Sequence, residues 1–453
     1  MNAGSENTSL GAARRRAEQV LAGGVSRGFN FLPELGPIYF KEADGARITD
    51  LEGARYLDYV MGWGSLFLGH DPPAMRQAIL EQMTGGFVHQ YETTQHIELA
   101  EALCECVPGA QTVRFASSGL EATSYAIRLA RAVTRRNKII KMEGHFHGLH
   151  DQVLFGTAAS PLGRVLGGGA IEAIPASAGI PPEVSDLTLV LSFNDIAGLE
   201  EAVFRHRDQI AGIILEPIAL NMGCVRPDPG YLQAVSEISR KHDIVLIFDE
   251  VLTGFRVALG GAQDLYGVTP DLSCFSKAFG CGMPIAALSG RRDLMSHLGP
   301  PGDVPMSGTH SARMLSVAGT LAAVKELRKP GFYEHITRLN DALVEGLRSV
   351  AAEFGVPAFV DGLGGRVALY FGLTERPRNM RDIVREWNRR YHVEVYRRLV
   401  LEEKVYGLAP LPWTPDPLNI SAAHSLQDIA ETVDRFRRVL KRLPYEDSTR
   451  VAG

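Results

Sequence analysis

Seven short apolar runs between residues 112 and 290 constrain the fold more than any other feature of the chain. They are TVRFA, NKIIKM, LTLVLSF, AGIILEP, DIVLIFDE, LSCFS and PIAALSG. Strands that are apolar almost throughout, rather than alternating, mark a parallel sheet covered on both faces. Segments of helical period lie between them. In LEATSYAIRLARAVTRR, for example, Ala122, Ala126, Leu129 and Val133 recur at helical spacing. The expected fold is therefore α/β, with a large, mostly parallel seven-stranded sheet covered by helices.

A chain of 453 residues exceeds what one core can organise. Before the large sheet, PIYFKEADGARITDLEGARYLDYV reads as a small antiparallel meander turned at Asp44-Gly45 and Glu52-Gly53. After it come two long amphipathic stretches, a short mixed segment and a closing helix, SLQDIAETVDRFRRVLKRL. We expect a large domain over 63–318 and a smaller α+β domain built from 1–62 and 319–453. The stretch from Gly156 to Pro182 is rich in Gly, Ala, Ser and Pro and has no period. Inside a compact domain, a segment of that length reads as a lid rather than a connector.

A formal charge of −5 and a pI near 6.2 argue against nucleic acid or an anionic membrane as the main partner. The triplet Arg14 to Arg16 is a local basic cluster, read as the solvated face of a helix. No apolar run is long enough to span a bilayer. The first residues lack an apolar core behind their basic cluster, so no secretory signal is expected. The five cysteines form no disulfide framework, and Cys104 and Cys106 have no second pair to complete a zinc ribbon. A reducing cytoplasm is the expected location.

Three sites carry chemistry, each at the C-terminal end of an expected strand, where ligands of open α/β sheets gather. In RFASSGLEATS, Ser117, Ser118 and Gly119 turn directly into a helix. Its first N–H groups form an anion pocket suited to phosphate, unless Ser118 is simply the N-cap. In DIVLIFDEVLTGFR, Asp249 and Glu250 follow five apolar residues. A carboxylate there is costly without a positive partner, and an ion pair holding a helix is the plainer alternative. In DLSCFSKAFGCGMP, Lys277 follows an apolar strand among small residues. Desolvation would lower its pKa and make it an amine nucleophile, although a surface lysine would also fit. The segment EGHFHGLHD, residues 143–151, brings His145, His147 and His150 close to Asp151 and admits a metal-site reading, as in a metallohydrolase.

Phosphate cup, buried acid and nucleophilic lysine are together what pyridoxal phosphate requires. The lysine bonds to its aldehyde, and the acid keeps its ring nitrogen protonated. The stretch from IFDEVLTGFR through SKAFGCGMPIAALSGRRDLM closely resembles the class III, fold type I aminotransferases. The likeness is strongest to the glutamate-1-semialdehyde aminomutase group and runs from about Gly23 to Leu426. The resemblance implies pyridoxal phosphate as cofactor, with Lys277 and Asp249 as the catalytic pair. It further implies that Val251 and Phe146 pack on the ring, Asn221 bonds its hydroxyl, and Ser118 with Gly119 binds phosphate. Phe146 thereby becomes the working residue of EGHFHG, with His147 behind it and no metal. The family is dimeric, so Thr309 is expected to reach the phosphate in the neighbouring subunit.

The chain departs from the aminomutases at Leu120, where the group has Thr or Ser, and at Asn30, where it has Arg. Its C-terminal loop, LAPLPWTPDP, lacks their glutamate. These departures weigh against the aminomutase reaction. Arg27 matches an arginine that binds substrate carboxylate in related β-phenylalanine aminotransferases, so it is the implied carboxylate clamp. Trp63 matches an aminomutase active-site tryptophan, and Trp413 falls in the C-terminal loop. The implied reaction moves the amino group of an aromatic amino acid, D-phenylglycine first, to 2-oxoglutarate. A β-phenylalanine-type transaminase and an aminomutase are the alternatives.

Overall fold

The computed structural model describes residues 8–26, 36–86 and 91–446. Three strands precede the large sheet: β1 (Phe40–Asp44), β2 (Arg47–Asp50) and β3 (Arg55–Asp58). The large sheet comprises β4 (Thr112–Ala116), β5 (Lys138–Met142), β6 (Ala170–Ile171), β7 (Thr188–Leu191), β8 (Ile210–Leu215), β9 (Val245–Asp249), β10 (Leu272–Phe275) and β11 (Ala286–Gly290). After it come β12 (Ala358–Leu363), β13 (Arg366–Phe371), β14 (Val405–Tyr406) and β15 (Leu418–Asn419).

The large sheet has the order β4-β11-β10-β9-β8-β5-β7-β6. β10, β9, β8, β5 and β7 run parallel, while β11 lies antiparallel between β4 and β10. All seven expected strands form. The eighth, β6, is a two-residue strand antiparallel to β7 and comes from the 156–182 stretch.

The unbroken apolar runs follow from burial on both faces. Ile139, Ala211, Val245, Ile247, Leu272 and Cys274 pack on one side with Ala122, Ala126 and Leu129 of the helix Gly119–Thr134. Ile140, Met142, Ile213, Leu215, Leu246 and Phe248 pack on the other with Leu199, Val203, Leu232 and Val235. Successive residues alternate between two largely apolar cores, so a polar side chain such as Lys141 is the exception in these strands.

A further core joins the two chain ends. Leu57 and Tyr59 pack with Leu339, Leu343 and Leu347 of the helix Phe332–Glu353, and with Phe436 and Val439 of Leu426–Arg442. The N-terminal meander pairs as expected, and β14 adds itself parallel to β3 as a fourth strand. A three-stranded antiparallel sheet, β12-β13-β15, completes this region.

Parallel strands end on the same edge, and the registers decide what meets there. Lys141 opposite Ile214 and Leu215 opposite Phe248 bring Glu143, Glu216 and Asp249 to the ends of three adjacent strands. Cys274 opposite Asp249 puts the residues after β10, Lys277 among them, beside β9.

Candidate active site

A cleft of about 280 Å³ opens at that edge. Its lining includes Gly119, Phe146, Asn221, Asp249, Val251 and Lys277, so six of the expected residues meet in one place. Ser118 sits one residue outside it as the N-cap of the helix Gly119–Thr134, its Oγ accepting from the Glu121 amide at 3.3 Å. Ser118 is thus the N-cap of this helix. Gly119 and Leu120 are the first two helical residues, and their N–H groups have no partner within the helix. Gly119 must be glycine, because a Cβ there would lie 2.8 Å from Val251 Cγ2.

Asp249 is buried at the end of β9. The Val251 amide donates to its Oδ1 at 3.0 Å, and His147 Nδ1 stands 2.8 Å from its Oδ2. Burial pushes the Asp249 carboxyl up to about 7, against the Val251 amide and the charge of Lys277. Burial also holds His147 neutral, well below the usual imidazole range. Its Nδ1 is then the donor to the carboxylate, and its buried Nε2 has no partner among the described residues.

Glu216 explains the rest of the EGHFHG loop. Its Oε1 accepts from the Phe146 amide at 2.9 Å, and its Oε2 from the amides of Leu220 and Asn221 at 3.0 and 3.2 Å. One buried carboxylate thus ties Phe146 to Asn221 across the cleft. Burial and then the charge of Asp249 raise its pKa. The Glu216 amide in turn donates to His145 Nδ1 at 2.9 Å. Lys141, fully buried in β5, donates to the carbonyls of His145 and Phe155 at 2.9 and 2.6 Å. Glu143 is clamped by Arg381 Nε and Nη2 at 2.6 and 2.5 Å. The segment is therefore a buried hydrogen-bonded frame. Among the described residues no group of three or more His, Cys, Asp or Glu side chains could hold a metal ion.

Lys277 takes a φ of 45°, the left-handed region that non-glycine residues rarely adopt. Such strain persists only where the surroundings over-determine it, and it is concentrated at functional sites. The Cys281 amide holds the Lys277 carbonyl at 2.8 Å, and Ser276 Oγ donates to Ile285 O at 2.9 Å. Burial, and then the charge of Arg366, lower the Lys277 amine to about 8, against the pull of Asp249. No described residue hydrogen-bonds its Nζ.

The remaining expected residues lie elsewhere. Thr309 is exposed in a separate recess with Tyr91, His96, Arg114 and Arg313. Trp63 is half-buried with φ 58° and does not line the cleft. Trp413 donates its indole N–H to Ser160 O at 2.6 Å, joining the C-terminal loop to the 156–182 stretch. That stretch is packed at Thr157, Ser160 and Ile171, which are buried, and exposed over 164–167 and 177–179. Arg27 lies outside the described residues.

Glu216, Lys141 and the His147–Asp249 contact are absent from the sequence reading. Glu216 carries the same signal as Asp249, an acid closing an apolar strand. Lys141 is a charge inside one, and such a lysine is rarely buried without partners.

The arrangement suits a flat aromatic cofactor with a phosphate, held between Phe146 and Val251 with an amine and an acid at its edges. The model of the family described as aminotransferase class-III matches residues 33–386. Among solved structures, an omega-transaminase from Sphaerobacter thermophilus is 32% identical with a TM-score of 0.89, covering 96% of this chain and 98% of that one. A transaminase with PLP bound is 30% identical, TM-score 0.84, covering 95% and 96%. A β-phenylalanine aminotransferase from Variovorax paradoxus is 26% identical, TM-score 0.83, covering 96% and 94%.

Proposed function

The chain belongs to the class-III aminotransferases, and from that premise we propose that its amino donor is an aromatic amino acid, D-phenylglycine first, and its acceptor 2-oxoglutarate. It is a pyridoxal-phosphate transaminase. The observation that carries the site assignment is Lys277 and Asp249 closing adjacent parallel strands on one cleft.

The residues present fit the cofactor. The close approach of Gly119 to Val251 leaves the helix start open to a phosphate, and Phe146 and Val251 offer apolar faces to a ring. Bound pyridoxal phosphate supplies an aldehyde for the lysine and a ring that accepts the electrons released at the donor carbon. Gly119 and Leu120 would hold its phosphate with backbone N–H groups, and Asn221 its hydroxyl. Asp249 would meet the ring nitrogen, and a charge pair of about 4 Å at an effective dielectric near 20 is worth roughly 4 kcal/mol. His147 holds Asp249 Oδ2 in place from behind. Lys277 Nζ, neutral for an appreciable fraction of the time near pH 8, would take the proton from the donor's α-carbon and deliver it to the former aldehyde carbon rather than back to the donor.

The active form we propose is a cytoplasmic homodimer in which Thr309 of one copy completes the site of the other. Its exposure, outside the cleft of its own chain, supports this reading. A β-phenylalanine donor is the second reading, favoured by the likeness to a protein of that activity.

Enantiomers of phenylglycine and β-phenylalanine, together with glutamate-1-semialdehyde, offered as amino donors with 2-oxoglutarate test the proposal. We expect phenylglycine to be preferred and Lys277→Ala to abolish turnover. Preference for an aliphatic donor would remove the aromatic reading; undiminished turnover in Lys277→Ala would remove the site.

A further inference from the structure

Two buried arginines converge behind the cleft. Arg366, at the start of β13 and 2% exposed, donates from Nη1 to Asn419 Oδ1 at 2.7 Å and from Nη2 to Leu220 O at 3.0 Å. Arg256, 1% exposed, donates to the carbonyls of Gly364 and Gly64 and lies over the Phe67 ring at 4.3 Å. A Cβ on Gly64 would sit 3.0 Å from Arg366 Nη1 and 3.4 Å from Arg256 Nη2, so both guanidiniums close on the residue after Trp63. The Nε of each is buried without a partner among the described residues.

The charges in this region do not balance. Among the described residues, Asp416 is the one carboxylate within ion-pair range of either guanidinium, and it stands 3.6 Å from Arg366 Nη2. That is an ion pair without a hydrogen bond. Buried guanidiniums are expensive unless paired and fully bonded. Two cations served by one loosely held anion leave room for a second carboxylate.

The position also matters. Leu220 O, which Arg366 holds, belongs to the residue before Asn221, and Asn221 lines the cleft. The charges of Arg366 and Asp416 also bear on the Lys277 amine, Arg366 lowering its pKa and Asp416 raising it. An amino-acid donor brings one carboxylate two bonds from the nitrogen that Lys277 must exchange. Bidentate recognition of that group is what a guanidinium does best.

We propose that Arg366 receives the carboxylate of the amino-acid donor, and that Asp416 is the counter-ion it holds when no donor is bound. This rests on reading the Lys277 cleft as the transaminase site. Asp416 lies in the loop LAPLPWTPDP, so that loop contributes the anion that yields to substrate, while the cation comes from β13.

The test compares phenylglycine with benzylamine, the same donor without its carboxylate, on holoenzyme in single turnover followed by cofactor absorbance. Truncating one partner of a buried charge pair costs enough that Arg366→Gln should lower kcat/KM for phenylglycine roughly 100-fold. Benzylamine should lose far less than phenylglycine, because it has no group for the arginine to hold and feels only the effect of Arg366 on the Lys277 amine. Asp416→Asn should lower KM for phenylglycine and leave benzylamine unchanged. Equal losses on both donors, or a full loss on Arg27→Ala with none on Arg366→Gln, overturn the proposal. Should Arg366→Gln fail to fold, benzoate titrated against wild-type and Asp416→Asn holoenzyme decides: tighter binding in the variant supports it, equal binding overturns it. If wild type uses neither donor, the donor assignment falls, and benzoate alone decides the role of Arg366. Binding by wild type that is weakened in Arg366→Gln sustains that role, whereas binding equal in the two, or none to wild type, ends it.

Discussion

Asp249 is a buried carboxylate held by the Val251 amide and His147. Its folded pKa, about 7 through burial, lies well above the ordinary carboxyl value of 3.8. A raised acid favours the folded state at low pH and weighs against it as pH climbs from about 4 to 7, the full cost standing above 7. In cofactor-free protein Asp249→Asn should therefore raise stability at pH 8, on the order of 2–4 kcal/mol, with the gain vanishing toward pH 4. His147 can accept the new amide by changing tautomer, so packing is kept. Urea unfolding at the two pH values checks this, and an unchanged midpoint at pH 8 would count against a desolvated carboxylate. The same substitution should cripple transamination. Lys277 carries the opposite signature, with an amine lowered to about 8. Uptake of pyridoxal phosphate by the cofactor-free protein should accelerate with pH and level off above about 8, as measured by absorbance. A flat profile would mean that the amine is already neutral or is not the acceptor.

Among the elements, the helix Met380–Glu386 is tied to the cofactor loop by one side chain. Arg381 reaches across to Glu143 at the end of β5 and also donates to Gly163 O at 2.6 Å. Glu143 is 2% exposed and burial raises its pKa, with Arg381 opposing. Arg381→Gln strands this carboxylate and should cost about 3–5 kcal/mol at pH 8. The loss should shrink at lower pH as Glu143 takes up a proton, which denaturation at pH 6 and 8 would detect. The strands of the large sheet are legible in the sequence because each buries both faces and so shows an apolar run. β6, β14 and β15 leave no such trace, since two residues cannot display a period and each exists only because a neighbouring edge is open. Lys277 and Asp249 are legible by the rule that a charge closing a buried strand needs a partner. Arg366 and Asp416 escape it, because their meeting depends on how β13 and the C-terminal loop fold over the large sheet.

For the whole molecule, the proposed homodimer makes a quantitative claim about mixtures. Lys277→Ala and Thr309→Glu should each be poorly active alone, because each damages every site. Mixed one to one and refolded together, they should recover about a quarter of wild-type activity, since half the dimers are mixed and each mixed dimer holds one intact site. No recovery would show that Thr309 serves its own chain or none. The parallel pairing of β14 with β3 bears on how such a molecule is made. The N-terminal meander is synthesised first, yet its fourth strand emerges only after the whole large sheet. At ribosomal rates of roughly 5–20 residues per second that interval lasts tens of seconds, during which β3 presents an unpaired edge. A nascent chain of this protein therefore carries that open edge until residues 405–406 have been made.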